Sequence, residues 1–267
     1  WRNVLIVTLS LVMFGAALAF IRFKLRTYSI DQIIESVRSI SSGAFLLAMA
    51  GTLAGYAAIS MYDYFALKYT GKQIPLRQTA FTSFSAHSIS STLSMSAFAG
   101  NAVRDKLYSS WGLGAIDVAI IAFVTAFFML MSGLTLASLG LLADTALFET
   151  VFHLPQWASL GVGVILAVIV AAGFVYLLAG PETHTFKKIA FQKPKPTLVF
   201  AQWTAGLLDW TAAAAVLYIL LPYGPEFSFL TFLPVFIAAH YIGAGSGLPG
   251  GIGVFEAVIL LMVPSGD

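Results

Sequence analysis

The stretch SAHSISSTLSMSAFAGNAVR, residues 85–104, decides how this chain is folded. It forms most of a segment, Ile74–Ala99, that is long enough to cross a bilayer as a helix. Yet that segment carries Ser83, Ser85, His87, Ser88, Ser90, Ser91, Thr92, Ser94 and Ser96. Hydrocarbon does not accept such a face, so the segment is buried in protein or lines a wet cavity. Either it crosses the membrane, or it enters and returns on the same side. The topology of everything downstream depends on which.

The surroundings are unambiguous about the medium. Of the 267 residues, 59% are hydrophobic and only 10% are charged, against about 25% charged in a soluble domain. Val4–Phe23, Gly43–Leu67, Ile116–Leu142, Trp157–Ala179, Leu198–Leu221 and Phe227–Ile242 are apolar runs near or above spanning length. A chain in lipid must satisfy its own backbone hydrogen bonds, so these runs are expected as helices. The short alternating segments of a membrane barrel are absent. The expected fold class is therefore an all-α polytopic membrane protein. Between the first two runs, Ile30, Ile33, Ile34, Val37 and Ile40 approximate helical spacing and predict an interfacial amphipathic helix within Arg22–Ser42.

Composition also excludes classes of function. Net charge is +2 with no basic block, so no nucleic-acid partner is expected in this stretch. There is no cysteine, no HExxH and no paired-histidine spacing, so no metal site and no cofactor are expected. The glycine-rich run near the end lacks the Gly-Lys-Ser/Thr of a phosphate-binding loop. The chain begins inside an apolar run without an initiator methionine and stops soon after a new one opens at Ile252, which reads as a fragment of a longer protein.

Charge should set orientation, because cytoplasmic loops are enriched in Lys and Arg. Gly180–Pro196, with Lys187, Lys188, Lys193 and Lys195, reads as inside; Ala143–Gln156 and Pro222–Glu226, with neither residue, read as outside. Upstream the rule is silent, since a spanning or a re-entrant Ile74–Ala99 each places ten of the fourteen basic residues inside.

An internal echo breaks the tie. SAHSISSTLSMSAFAGNAVR is matched by AAHYIGAGSGLPGGIGVFE, residues 238–256. Both open Ala-His-x-Ile, run through small residues and reach an ionisable residue, Arg104 or Glu256. Upstream of each histidine an aspartate lies in an apolar helix beside aromatics, Asp63 in MYDYFAL and Asp209 in LLDWTAA. With Ile74–Ala99 re-entrant, the two aspartate helices run in opposite directions. Interrupted hydrophobic segments at matching places in inverted halves point to a transporter site. The expectation is one integral-membrane domain over residues 1–267, with two broken segments and repeat halves at about 43–113 and 197–267.

Asp63, Arg104, Asp209 and Glu256 are the candidate head-group residues. A charge at a helix centre costs about 2.5–3.5 kcal/mol on insertion scales, so such residues mark function or a partner. Three have a plainer alternative: Asp63 as an interfacial group or a partner of Lys68, Arg104 as a loop arginine, and Glu256 as a cap favoured by the helix dipole. Asp209 sits centrally in its apolar run with no local basic partner. His87 and His240 read as pathway-lining or core histidines. Gly250 and Gly251 let backbone N–H groups face a cavity, an arrangement suited to phosphate or carboxylate. Ser246, in Gly245-Ser246-Gly247 near His240, leaves an intramembrane hydrolase as a further reading. Mixed charge within the membrane suits a zwitterionic or cationic phospholipid.

IPLRQTAFTSFSAHS, GNAVRDKLYSSWGL, LPGGIGVFEAVILL and MYDYFALKYTGKQIPLR together resemble the transmembrane region of the lysylphosphatidylglycerol synthase/flippase family, the multiple peptide resistance factors. The resemblance runs from about Gly43 onward. Ser88 stands where the family often has asparagine, and Gly100-Asn101 where it has a glycine pair. The resemblance implies a bacterial cytoplasmic (inner) membrane protein that moves aminoacylated phosphatidylglycerol between leaflets and so weakens cationic antimicrobial peptides. It implies a membrane phospholipid as partner, and homo-oligomers are compatible with it. Membrane-only relatives share these strings, so the resemblance fits both a fragment of a bifunctional protein with a C-terminal synthase domain on the same chain and a stand-alone relative without one. By motif position, Asp63 and Arg104 match polar residues associated with flipping, and Glu256 matches the Gly-Val-Phe-Glu glutamate. The alternative it implies is the membrane part of a phosphatidylglycerol lysyltransferase, binding lipid without doing chemistry.

Overall fold

The computed structural model describes residues 30–92, 96–146, 155–186, 189–221, 227–246 and 248–262, with isolated positions 12, 15, 19, 22 and 149. The expected first span, Val4–Phe23, lies outside the described residues. The helices are α1 (Ile30–Arg38), α2 (Ser42–Tyr69), α3 (Leu76–Thr92), α4 (Ser96–Ser110), α5 (Ala115–Ala143), α6 (Gln156–Ala179), α7 (Pro196–Leu220), α8 (Phe229–Gly245) and α9 (Val254–Met262). Among them α2, α5, α6 and α7 are long and apolar enough to cross a membrane. The fold is all-α and polytopic, as the hydropathy predicts. One detail differs: the loop Gly180–Pro196 contains a two-stranded antiparallel ladder, β1 (Thr183–Phe186) with β2 (Ile189–Gln192). Two Thr/Phe/Ile-bearing tetrapeptides are too short to register against the helical pattern.

Local chemistry sets the helix ends. Ser41 Oγ accepts from Ala44 N at 3.1 Å to start α2, and Ser228 Oγ accepts from Thr231 N at 3.1 Å to start α8. Asp117 Oδ2 accepts from Gly114 N at 3.1 Å and closes the first turn of α5. Pro196 opens α7, where its missing N–H costs nothing. The interfacial helix expected within Arg22–Ser42 is α1; its Ile34 and Val37 are exposed, as for a helix resting on lipid.

Small residues let the spans touch. A Cβ on Gly51 would fall 2.9 Å from Val216, and one on Gly55 3.7 Å from Ala212. Gly206 lies against Tyr62 and Ser132. These pairings make α2 and α7 antiparallel neighbours. The central helix α5 packs on both of them, on α6 and on α8: Ser132 Oγ donates to Trp203 O at 3.0 Å, Ser138 Oγ to Gly163 O at 2.8 Å, and Pro234 of α8 fills the space over Gly140.

The deciding segment returns. α3 runs back along α2, with Ser83 Oγ donating to Ile59 O at 3.0 Å and Tyr56 packed on Phe84. α4 then folds down against α3, so closely that a Cβ on Gly100 would lie 1.9 Å from Ser90 Oγ and 2.8 Å from Ala86 O. Lys72, before the hairpin, and Asp117, after it, meet at 3.5 Å. Both ends of α3–α4 therefore lie at one end of the bundle, beside the C-terminus of α2.

A second hairpin enters from the other end. Tyr218 near the end of α7 donates to Phe227 O at 2.7 Å and packs edge-on against Phe229, which starts α8. A 3₁₀ turn, Pro249–Gly251, sends the chain back as α9, with Phe255 against Phe236. The two hairpins meet at their tips, where Gly250 (φ +60°) approaches the carbonyl of Ser91 so closely that a Cβ would lie 2.8 Å from it. Lys68, Lys72, Lys106, Lys193 and Lys195 gather at the α2 C-terminal end, which by the positive-inside rule faces the cytoplasm.

Candidate functional site

α2 carries Asp63 with none of its surface exposed, in a helix otherwise apolar back to Gly43. A carboxylate placed there needs partners, because leaving it unpaired in a dry interior costs several kcal/mol. The returning hairpin supplies them. Arg104 Nε donates to both carboxylate oxygens, 3.2 Å to Oδ1 and 3.1 Å to Oδ2. Tyr108, one turn further along α4, donates its hydroxyl to Oδ2 at 2.9 Å. Thr125 of α5 reaches Oδ1 at 3.5 Å. Two of the expected site residues are thus brought into direct contact, 41 residues apart in sequence. The contact uses one N–H shared between two oxygens, and the Nη groups of Arg104 make no hydrogen bond among the described residues.

Asp209, the candidate acid of α7, lies near the middle of that helix and is treated differently. It is 8% exposed, yet it has no hydrogen bond and no ion pair among the described residues. Tyr62 and Tyr241 are within its electrostatic reach. The Tyr62 hydroxyl and Gln202 Oε1 are buried without a hydrogen-bond partner among the described residues, while Gln202 Nε2 donates to Tyr62 O at 3.0 Å. The contact of Tyr62 with Gly206 puts Asp63 and Asp209 roughly one turn, about 6 Å, apart along the α2–α7 pair. The α2–α7 pair therefore holds one neutralised acid and, among the described residues, one acid without a partner, and the same two helices carry the unpartnered Tyr62 hydroxyl and Gln202 Oε1.

The histidines border this crossing from both hairpins. His87 packs edge-on against Tyr56 at 6.1 Å between ring centroids, and His240 against Trp210 at 4.8 Å. The two are within electrostatic reach of each other, and His87 of Arg104 and Asp63 as well. Trp210 is anchored by its Nε1 donating to Met129 O at 2.9 Å. Gly250 and Gly251 form the turn at the hairpin junction, both at positive φ.

Glu256 stands apart from the crossing. Its side chain is exposed and its Oε2 accepts from Gly253 N at 2.7 Å, the geometry of a cap on α9. Ser246 is buried and engaged in its own turn, donating to Gly243 O at 2.6 Å and accepting from Leu248 N at 3.2 Å. No hydrogen bond joins it to His240, so the nucleophile–base contact that hydrolysis needs is missing. Among the described residues, no three His, Asp or Glu side chains converge as metal ligands would.

Sequence reasoning did not single out Tyr108, Thr125, Tyr62, Gln202 or Tyr241. Tyr108 had a readable signal, since it lies four residues after Arg104 and shares its helix face. Thr125 had none, being a lone hydroxyl in a long apolar run.

The geometry can be set beside known proteins. No family model matches the chain. The phosphatidylglycerol lysyltransferase of Staphylococcus aureus (strain MRSA252) is 24% identical over 236 residues, 86% of this chain but only 26% of that enzyme, so the chain spans about a quarter of its length. The inner membrane protein YbhN of Escherichia coli (strain K12) is 24% identical over 234 residues, 87% of this chain and 73% of YbhN. The uncharacterized protein slr0712 of Synechocystis is 30% identical over 254 residues, 94% of this chain and 78% of that protein. With four helices able to span and this likeness to an inner membrane protein, the chain is a multi-pass inner-membrane protein. At that identity and coverage, it belongs to the family of the Synechocystis protein slr0712.

Proposed function

We propose that this chain moves a phospholipid with a cationic head group across the inner membrane, an aminoacylated phosphatidylglycerol such as lysylphosphatidylglycerol being the substrate that best fits. The observation that carries this reading is the unequal treatment of the two aspartates. Asp63 has its counter-ion in Arg104, whereas Asp209, about one turn away, has none among the described residues. An uncompensated acid inside a membrane protein favours an incoming cation. The Nη groups of Arg104, without a hydrogen bond among the described residues, offer donors for a lipid phosphate beside it.

The architecture supports a translocation path. Two broken hairpins enter from opposite ends and meet near mid-membrane, an arrangement consistent with an inverted repeat of halves at about 43–113 and 197–267. In this reading the head group occupies the crossing while the acyl chains stay in the bilayer, and separation at the hairpin tips exposes the site to one side at a time. Asp63, Arg104 and Asp209 bind the head group, His87, His240, Gly250 and Gly251 line its route, and Glu256 contributes through the fold of α9. The likeness to the lysyltransferase supports a lipid-related role, and a contribution to cationic antimicrobial peptide resistance would follow from displaying a cationic lipid outside.

The same likeness favours a second reading, in which the chain is the membrane part serving a lysyltransferase and holds lipid without moving it. Proteoliposomes containing fluorescent lysylphosphatidylglycerol separate the two. Faster leaflet exchange than in protein-free vesicles supports translocation; binding with unchanged exchange supports the second reading.

A further inference from the structure

A cavity of about 360 Å³ opens at the basic end of the bundle, where α2 leaves the membrane. Tyr64, Leu67 and Lys68 of α2 line it together with Gly71, Lys72, Gln73 and Ile74 of the loop to α3. We propose that this cavity seats the phosphate of an anionic phospholipid, with Lys68 and Lys72 on the phosphate and Leu67 and Ile74 beneath its glycerol and first acyl carbons.

The two lysines are available. Lys68 is exposed and rests with Nζ 4.4 Å from the centre of the Tyr64 ring, which holds the ammonium at the rim without neutralising it. Lys72 pairs with Asp117 at 3.5 Å, but the lysine side chain is 46% exposed, and an exposed pair of this kind is weak enough to exchange partners. Two cations face one acid, so the cavity keeps a positive surplus. Its mouth is open, since a Cβ on Gly71 would meet nothing within 4 Å.

The shared chemistry is a phosphate anion, and its source is a lipid for two reasons. The floor is partly apolar: Ile74 lines it and packs on the cluster of Leu67, Ala66, Tyr108 and Leu113. The cavity also lies at the end of a span, at the depth of lipid phosphates, where basic pockets between helices collect anionic head groups. Leu67 is one turn from Asp63, about 6 Å along α2, so a lipid held here lies beside the buried pair. The seat stands whether or not the chain moves lipid.

The test uses the full chain in detergent, with its unfolding midpoint read during titration with short-chain phosphatidylglycerol, phosphatidylcholine of the same chain length, or inorganic phosphate. Phosphatidylglycerol raises the midpoint by several degrees, and the other two do not. Lys68→Gln/Lys72→Gln unfolds at the wild-type midpoint without lipid and loses the rise, while Lys68→Arg/Lys72→Arg keeps it. The proposal is overturned if phosphatidylglycerol gives no rise, if phosphatidylcholine gives the same rise, if inorganic phosphate alone reproduces it, or if the glutamine variant retains it. Should the glutamine variant fail to fold, loss of the wild-type rise in high salt takes its place, and a salt-independent rise overturns the proposal.

Discussion

Arg104 reaches Asp63 with a single nitrogen: its Nε–H lies 3.2 Å from one carboxylate oxygen and 3.1 Å from the other. The contact joins the re-entrant hairpin to α2, with Asp63 fully buried and Arg104 9% exposed. Removing either partner leaves a buried charge, which typically costs about 3–5 kcal/mol. Asp63→Asn and Arg104→Gln are each expected to lower stability strongly in detergent unfolding, and the double variant by less than the sum of the two. Additive losses would mean that the two side chains do not act on each other.

The hairpin depends on the absence of a side chain at Gly100, over which Ser90 Oγ and Ala86 O close. Gly100→Val should overpack the α3–α4 contact at a cost of about 1–3 kcal/mol. Adding Ser90→Gly removes the nearer obstacle but leaves the Ala86 carbonyl, so it should restore only part of the lost stability. Full restoration, or a Gly100→Val protein as stable as wild type, would show that the two helices are not packed this closely.

How much of this was legible beforehand follows from where each signal lived. The long spans were readable because hydropathy integrates over twenty residues. The re-entrant course of residues 74–99 was readable only through its echo, since loop charge counted the same either way; Lys72 and Asp117 meeting across the hairpin base is what distinguishes the two courses. Asp63 and Arg104 announced themselves as ions in apolar or small-residue surroundings. Their pairing did not, because nothing local links positions 41 residues apart. The position of Glu256 in the first turn of a helix allowed both a ligand and a cap, and its hydrogen bond to Gly253 is that of a cap. Thr125 was invisible because a threonine hydroxyl commonly returns to its own helix, as Thr135 does to Met131 O at 2.7 Å.

The hairpin tips can be probed directly because the chain has no cysteine of its own. Gly250→Ala places a side chain at φ +60° and against the Ser91 carbonyl, which together cost about 1–3 kcal/mol. The tips should then part. A lone cysteine introduced as Ser91→Cys should react faster with a water-soluble maleimide in the Gly250→Ala background than without it. Equal reactivity would indicate that the tip contact does not control access.

Ser246 is expected to be structural. Ser246→Ala loses the hydrogen bonds to Gly243 O and Leu248 N and should cost about 1 kcal/mol of stability. A fluorophosphonate probe should leave the wild-type serine unlabelled. Labelling that disappears in Ser246→Ala would reopen the hydrolase reading.

The central claim is that Asp209, a buried acid without a counter-ion among the described residues, receives a cation carried by a lipid. The most direct measurement compares leaflet exchange of lysylphosphatidylglycerol and of phosphatidylglycerol in proteoliposomes of the wild type and of Asp209→Asn, which keeps the shape and removes the charge. The account predicts that the variant moves the lysylated lipid more slowly by about tenfold or more, equivalent to ~1.4 kcal/mol, with little change for the unmodified lipid. Exchange of the lysylated lipid at the wild-type rate in Asp209→Asn would contradict it.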